Sequence, residues 1–180
     1  MFQKKPSAPK APWTVRVLTA DFLVDGFADT EAHPESWAFF TTAVGSTPTG
    51  LLWLDGPKFT PVIAGVAAPP AVRQWVLPFT GDFTALMPFD DACLAAVRKN
   101  IASLKEPHAA LVHAGPFALR GQLLSEYGAV SYLSTMSGHL SLAMQDVEIE
   151  YLRPNPGFSG LKAPLVLLHT RALQGIGLLG

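Results

Sequence analysis

His113–Gln122, HAGPFALRGQ, has a close counterpart near the start of the chain, Thr19–Gly26, TADFLVDG. Aligned, GPFALRG and ADFLVDG share an aromatic residue, two apolar positions, one charged residue and a closing glycine. A second pair of strings lies further along. Gln74–Phe83 (QWVLPFTGDF) parallels Pro164–Leu173 (PLVLLHTRAL) in its apolar run and in the polar turn within it. Their order agrees and their separations, 95 and 90 residues, nearly do, which is the signature of an internal repeat.

The residues around these strings point to strands. Thr14–Thr19 carries β-branched residues in alternation, Asp21 supplies turn chemistry, and Phe22–Phe27 resumes the pattern, so 14–27 reads as a hairpin. Glycine within a strand marks a bulge or bend, which predicts that Gly26, and Gly121 in the other copy, lets its strand curl. Trp37–Val44 is read as a strand, Gly45–Gly50 as a loop, Leu51–Leu54 as a strand ending in an Asp55-Gly56 turn, and Phe59–Val66 as another strand. Arg73–Leu77 and Asp82–Leu86 follow as two short strands around Phe79-Thr80-Gly81.

Residues 89–104 differ. Phe89, Cys93, Val97, Ile101 and Leu104 recur at near-helical spacing, Asp90 and Asp91 stand in front and Lys105 behind, as the helix dipole favours. Beyond Pro107 strands return: Ala109–His113 and Phe117–Leu124 about an Ala114-Gly115-Pro116 turn, a short piece at Val130–Leu133, and a long strand over Gly138–Leu152. In that long strand the apolar phase changes near Gln145-Asp146, so a bulge belongs there. Ala163–Leu168 and Ala172–Leu179 are expected to form a closing strand pair around His169-Thr170-Arg171.

Helix followed by bent strands is also the layout of the Sm-like family, and the second half resembles it at several strings. The family's strand ending in glycine is matched by Leu119-Arg120-Gly121-Gln122-Leu123, and its next strand by Leu140–Glu148. Its second motif, aliphatic residues about an Arg-Gly pair, is similar to Val166–Leu173. The resemblance implies a mainly β fold of two tandem five-stranded small barrels with one connecting α-helix: a leader at 1–12, a first repeat at 13–88, and the helix with a second repeat at 89–180. The family's RNA-contacting Asp and Asn would fall on Ser137 and Ser141, and its Arg-Gly pair on His169 and Thr170; in the first half Phe79 and Thr80 take the latter place. None of the family's RNA contacts is kept.

Composition narrows the function classes. Apolar residues make up 49% of the 180, charged residues 15%, and mean hydropathy is +0.27, far from the composition of disorder. With so little charge to cover its outside, a homo-oligomer joined through strand edges is expected. Net charge is −1, and without the leader lysines Lys4, Lys5 and Lys10 ten basic residues face fourteen acidic ones, so there is no general field for nucleic acid. One cysteine, Cys93, excludes an intramolecular disulfide and offers no metal-ligand spacing. No apolar run is long enough to span a bilayer and no signal-peptide core is present, which makes a cytoplasmic, membrane-free protein the expectation.

No catalytic constellation stands out. His113 and His169 sit at strand ends that a closed barrel would bring together, and with Arg120 and Arg171 they are the candidate ligand-binding residues; surface histidines of this kind are more often structural. Ser137-Gly138-His139 with Asp146 lacks the Gly-x-Ser-x-Gly elbow, and adjacent strand residues point to opposite faces. Asp25-Gly26 and Asp55-Gly56 are first of all turn signals. Gln174–Gly177 lacks the third glycine and following helix of a dinucleotide fingerprint. The four tryptophans, all in the first half, have few cations among them and suit packing better than base stacking. The expectation is therefore a non-catalytic binding or assembly module with no cofactor and no metal. The alternatives are RNA binding through the basic leader or, less favoured, a small enzyme using His113 and His169.

Overall fold

The computed structural model describes residues 12–37, 40, 50–78, 80–128, 141–153 and 155–179. Among the described residues ten strands make one antiparallel sheet: β1 (Trp13–Leu18), β2 (Phe22–Ala28), β3 (Leu51–Pro61), β4 (Gln74–Pro78), β5 (Ala85–Pro88), β6 (Glu106–Ala114), β7 (Phe117–Ser125), β8 (Ser141–Tyr151), β9 (Leu161–His169) and β10 (Leu173–Leu178). The order across the sheet is β10-β6-β7-β8-β9-β5-β1-β2-β3-β4. The protein is thus mainly β. The sheet is not closed, in contrast to the expected pair of five-stranded barrels, and β10 and β4 are its two edges.

The order explains why the expected closing strand pair is absent and why two successive strands of the first half do not meet. β4 and β5 follow each other in sequence but separate: β4 pairs with β3, while β5 pairs with β1 and β9. β9 and β10 part in the same way, β9 joining β8 and β5, and β10 joining β6. Each fifth strand returns to lie beside the first of its own run, giving β5-β1-β2-β3-β4 and β10-β6-β7-β8-β9. The two runs meet at β9–β5, where Ala85 faces Leu168 and Leu86 faces Leu167.

Asp55-Gly56 does not end a strand either. β3 continues through it, because the dipeptide forms a bulge: on β2 Asp25 and Phe27 are two positions apart, while their partners Lys58 and Asp55 are three apart. Gly56 has φ +54°, a conformation open to glycine. β8 repeats the device at the change of phase seen in the sequence. Arg120 and Gln122 face Glu148 and Gln145, and the extra residue is Asp146, with φ +53°. The bend therefore originates in the partner strand rather than at Gly26 or Gly121, which lie opposite the bulges where backbones crowd. A Cβ on Gly121 would stand 2.8 Å from the Gln145 carbonyl oxygen, and one on Gly26 would stand 3.0 Å from Leu54 Cβ.

Strand faces alternate as a half-buried sheet requires. Trp13, Val15 and Val17 point inward from β1, and Val112 and Ala114 from β6. These side chains belong to one continuous apolar core shared by both runs. Burial of each large aliphatic side chain contributes roughly 1.5–3 kcal/mol.

The helix, α1 (Asp91–Asn100), is shorter than expected. Asp90 caps it by accepting a hydrogen bond from the Cys93 N–H at 2.8 Å, and its other oxygen accepts from the Thr14 N–H, tying the helix start to β1. Cys93 and Val97 face the core, whereas Phe89 lies before the helix, 58% exposed, under the Arg16 guanidinium. Trp37 ends a 3-10 turn (Pro34–Trp37) instead of opening a strand. The remainder of the expected 37–44 strand, apart from Phe40, and the 130–133 strand lie outside the described residues.

Candidate functional site

The chemistry-bearing residues gather in two places. One is the junction of the two runs, and the other is the outer face of β7, β8 and β9.

At the junction, β9 ends on His169, which is 1% exposed. Its N–H donates to the Thr84 carbonyl at 3.0 Å, its Nδ1 accepts from the Arg171 N–H at 3.2 Å, and its ring meets Phe83 edge-on with centroids 4.6 Å apart. Through that accepting Nδ1 the ring caps the 3-10 turn Thr170–Ala172. Arg171 reaches across the junction to donate to the Thr80 carbonyl at 3.2 Å. Ser141, the cross-strand partner of His169, has its hydroxyl buried with no hydrogen-bond partner among the described residues. Asn155, in the β8–β9 loop, donates its side-chain amide to the Val62 carbonyl, a third link between the runs.

The junction accounts for two of the four expected ligand residues, as structural ties. His113 is exposed on β6, opposite Ala118 and Gly175, whereas His169 is enclosed. The chain does bring their strand ends near each other, since the Gly115 N–H donates to the Ala172 carbonyl at 2.8 Å. The two imidazoles nonetheless differ fully in access to solvent.

On the outer face, Arg120 lies across from Glu148, and Glu148 is bonded to Lys162 at 2.5 Å. The Lys162 hydrogen bond, its charge and then Arg120 hold the Glu148 carboxyl below the usual range, and Glu148 in turn raises Lys162. The stabilisation linked to Glu148 is therefore present above the unfolded pKa of a glutamate and is lost as pH falls through the lowered folded value. That linked to Lys162 is present below the unfolded lysine pKa and lost as pH rises through the raised one. Both side chains are solvated, so the pair is a weak restraint. Arg120, Gly121, Gln122, Asp146 and Glu148, with Ala109 and Leu179, border an open cavity of about 430 Å³. It is shallow, and its Glu148 is already bonded to Lys162.

Other groups have local duties. His108 Nε2 lies 2.9 Å from the Ser125 hydroxyl, which donates to the Tyr127 carbonyl at 2.6 Å. With its proton so placed and the residue fully buried, Ser125 is unsuited to nucleophilic attack. Burial pushes the Cys93 thiol far up, away from the reactive thiolate. Among the described residues no group of three or more His, Cys, Asp or Glu side chains is placed to hold a metal ion, and no helix is long and apolar enough to cross a membrane. Ser137, His139 and the leader lysines lie outside the described residues, while Asp146 is exposed on its bulge.

Sequence reasoning missed Thr80, Phe83, Thr84 and Asn155. They sit in turn-like strings, and the signal that marks them is their position between strands that diverge, which no local pattern displays. Compared with family models, curated proteins and solved structures, the chain has no match.

Proposed function

We propose that the chain is a non-catalytic binding or assembly module built from two Sm-like repeats, 13–88 and 89–180, of a self-associating protein. The observation carrying this reading is that both runs share one strand order, with the fifth strand beside the first.

The registers support it residue by residue. Phe22 faces Pro61 as Phe117 faces Tyr151, and Leu52 faces Leu77 as Leu142 faces Leu168. Val17 faces Leu86 as Val112 faces Ile176. The bulge residues Gly56 and Asp146 occupy the same place opposite Gly26 and Gly121. Even a loop bond recurs: the Val62 N–H donates to the Asp21 carbonyl, and the Leu152 N–H to the Pro116 carbonyl, both at 2.8 Å. Chance likeness of short apolar strings does not supply matching registers, bulges and loop bonds together. A helix before the second run and five bent strands in each are what the family resemblance implies, and the chemistry of the junction favours holding strands over turning over a substrate.

Light scattering tests this reading. The full chain is expected to scatter as a discrete multiple of 19.2 kDa across micromolar concentrations. A monomer throughout that range overturns assembly as the function.

A further inference from the structure

Resting on the two-repeat reading, we infer that copies of this chain join head to tail, the β4 edge of one copy pairing with the β10 edge of the next in the register that β9 and β5 show within the chain. The partner is a second copy, and the template for its contact is internal.

Counterparts follow from the shared registers. β4 stands in the first run where β9 stands in the second, Leu77 matching Leu168 and Val76 matching Leu167. β10 stands where β5 stands, Gly175 matching Ala85 and Ile176 matching Leu86. Since Ala85 faces Leu168 and Leu86 faces Leu167, the contact between copies sets Gly175 against Leu77 and Ile176 against Val76.

Burial differs between the two sets in the direction this requires. Leu86 and Leu167, at the internal junction, are 1% and 2% exposed, while Ile176 and Val76 are each only partly buried. Pro88 is buried, and its counterpart Leu178 is 41% exposed. Val62 is fully buried and bonded by Asn155 of the β8–β9 loop, whereas its counterpart Leu152 is 51% exposed. The loop that corresponds to 152–160 is 62–73, and from Ala64 to Val72 it holds no charged residue and is mostly exposed. Carried by β4 of a neighbouring copy, that loop would come over Leu152 as the β8–β9 loop comes over Val62. An apolar loop without a base and a bare leucine without a cover are thus two halves of one contact.

Two differences set its strength. Pro78 replaces His169 and has no N–H, so the hydrogen bond that His169 gives to Thr84 has no equivalent between copies. Gly175 and Gly177 leave β10 with little side-chain area. The contact between copies is consequently weaker than the internal one and can open while the chain stays folded. Because the two surfaces are different, the association is heterologous and builds rings or open arrays rather than two-fold dimers.

Site-specific crosslinking tests the register. Differently tagged Val76→Cys and Ile176→Cys chains are coexpressed and treated with a short bis-maleimide crosslinker; the buried Cys93 stays in place, and the unaltered chain is the blank. Covalent dimers carrying one tag of each kind, and none from either variant alone, are expected. Dimers from either variant alone would mean like-to-like edges and overturn the proposal. Absence of crosslinks while light scattering still reports a multimer also overturns it, yet leaves the assembly reading standing; a monomer overturns both. Ile176→Lys covers the case in which a cysteine perturbs β10. Loss of the multimer with an unchanged circular dichroism spectrum is expected, and an undisturbed multimer contradicts the edge contact.

Discussion

Gly121 and Gly26 occupy matching places, but the atoms around them predict unequal tolerance. An added Cβ at Gly121 meets backbone on three sides, the Gln145 and Asp146 carbonyl oxygens and Val147 Cα, at 2.8 to 3.1 Å. At Gly26 the nearest atom is Leu54 Cβ at 3.0 Å, and the nearest backbone atom, the Asp55 carbonyl oxygen, stands back at 3.5 Å. Gly121→Ala is expected to destabilise the fold by about 2–3 kcal/mol in urea denaturation, and Gly26→Ala by about 1 kcal/mol. Equal losses would contradict the crowding described for β7 against β8. That a glycine belonged in each strand was legible in the sequence; that the bulge lay in the opposite strand was not. The reason is physical, since a bulge is a relation between two chains' registers, and Asp55-Gly56 carries the same residue signals whether it ends a strand or swells one.

Among the elements, α1 depends on a single side chain. Asp90 satisfies the Cys93 N–H at the helix start and the Thr14 N–H at the start of β1, so one carboxylate fastens two elements. Asp90→Ala should cost about 1–3 kcal/mol by thermal or urea unfolding, more than an ordinary exposed cap, while Asp91→Ala, which lies in the first turn without those bonds, should cost under about 0.5 kcal/mol. Comparable losses from the two would remove Asp90 from that role. The helix itself was visible in the spacing of Cys93, Val97 and Ile101. Its true start was shifted because Phe89 fits the apolar period equally well, although its amide is bonded to the Thr14 carbonyl and its ring stacks under Arg16. The first hairpin was read within a residue or so at each end. The β9–β10 pairing failed because adjacency in sequence favours hairpins, whereas each fifth strand here crosses to the far side of the first.

At the scale of the molecule, two runs of five strands share one core and one sheet, and their internal seam is better covered than the edges that correspond to it. The strings that first suggested duplication, 19–26 with 113–122 and 74–83 with 164–173, fall on matching hairpins and on matching strand-to-turn passages, the latter one residue out of step with the register. What no string announced was the seam, built by Thr80, Phe83, Thr84, Asn155, His169 and Arg171 from segments about 90 residues apart. The direct measurement of whether the open edges complete each other is amide hydrogen exchange along β4 and β10. At concentrations where the chain assembles, amides of 75–77 and 175–178 that point away from β3 and β6 are expected to exchange slowly, and to speed up on dilution or in Ile176→Lys while β5 and β9 stay protected. Fast exchange of those edge amides at every concentration would contradict the account.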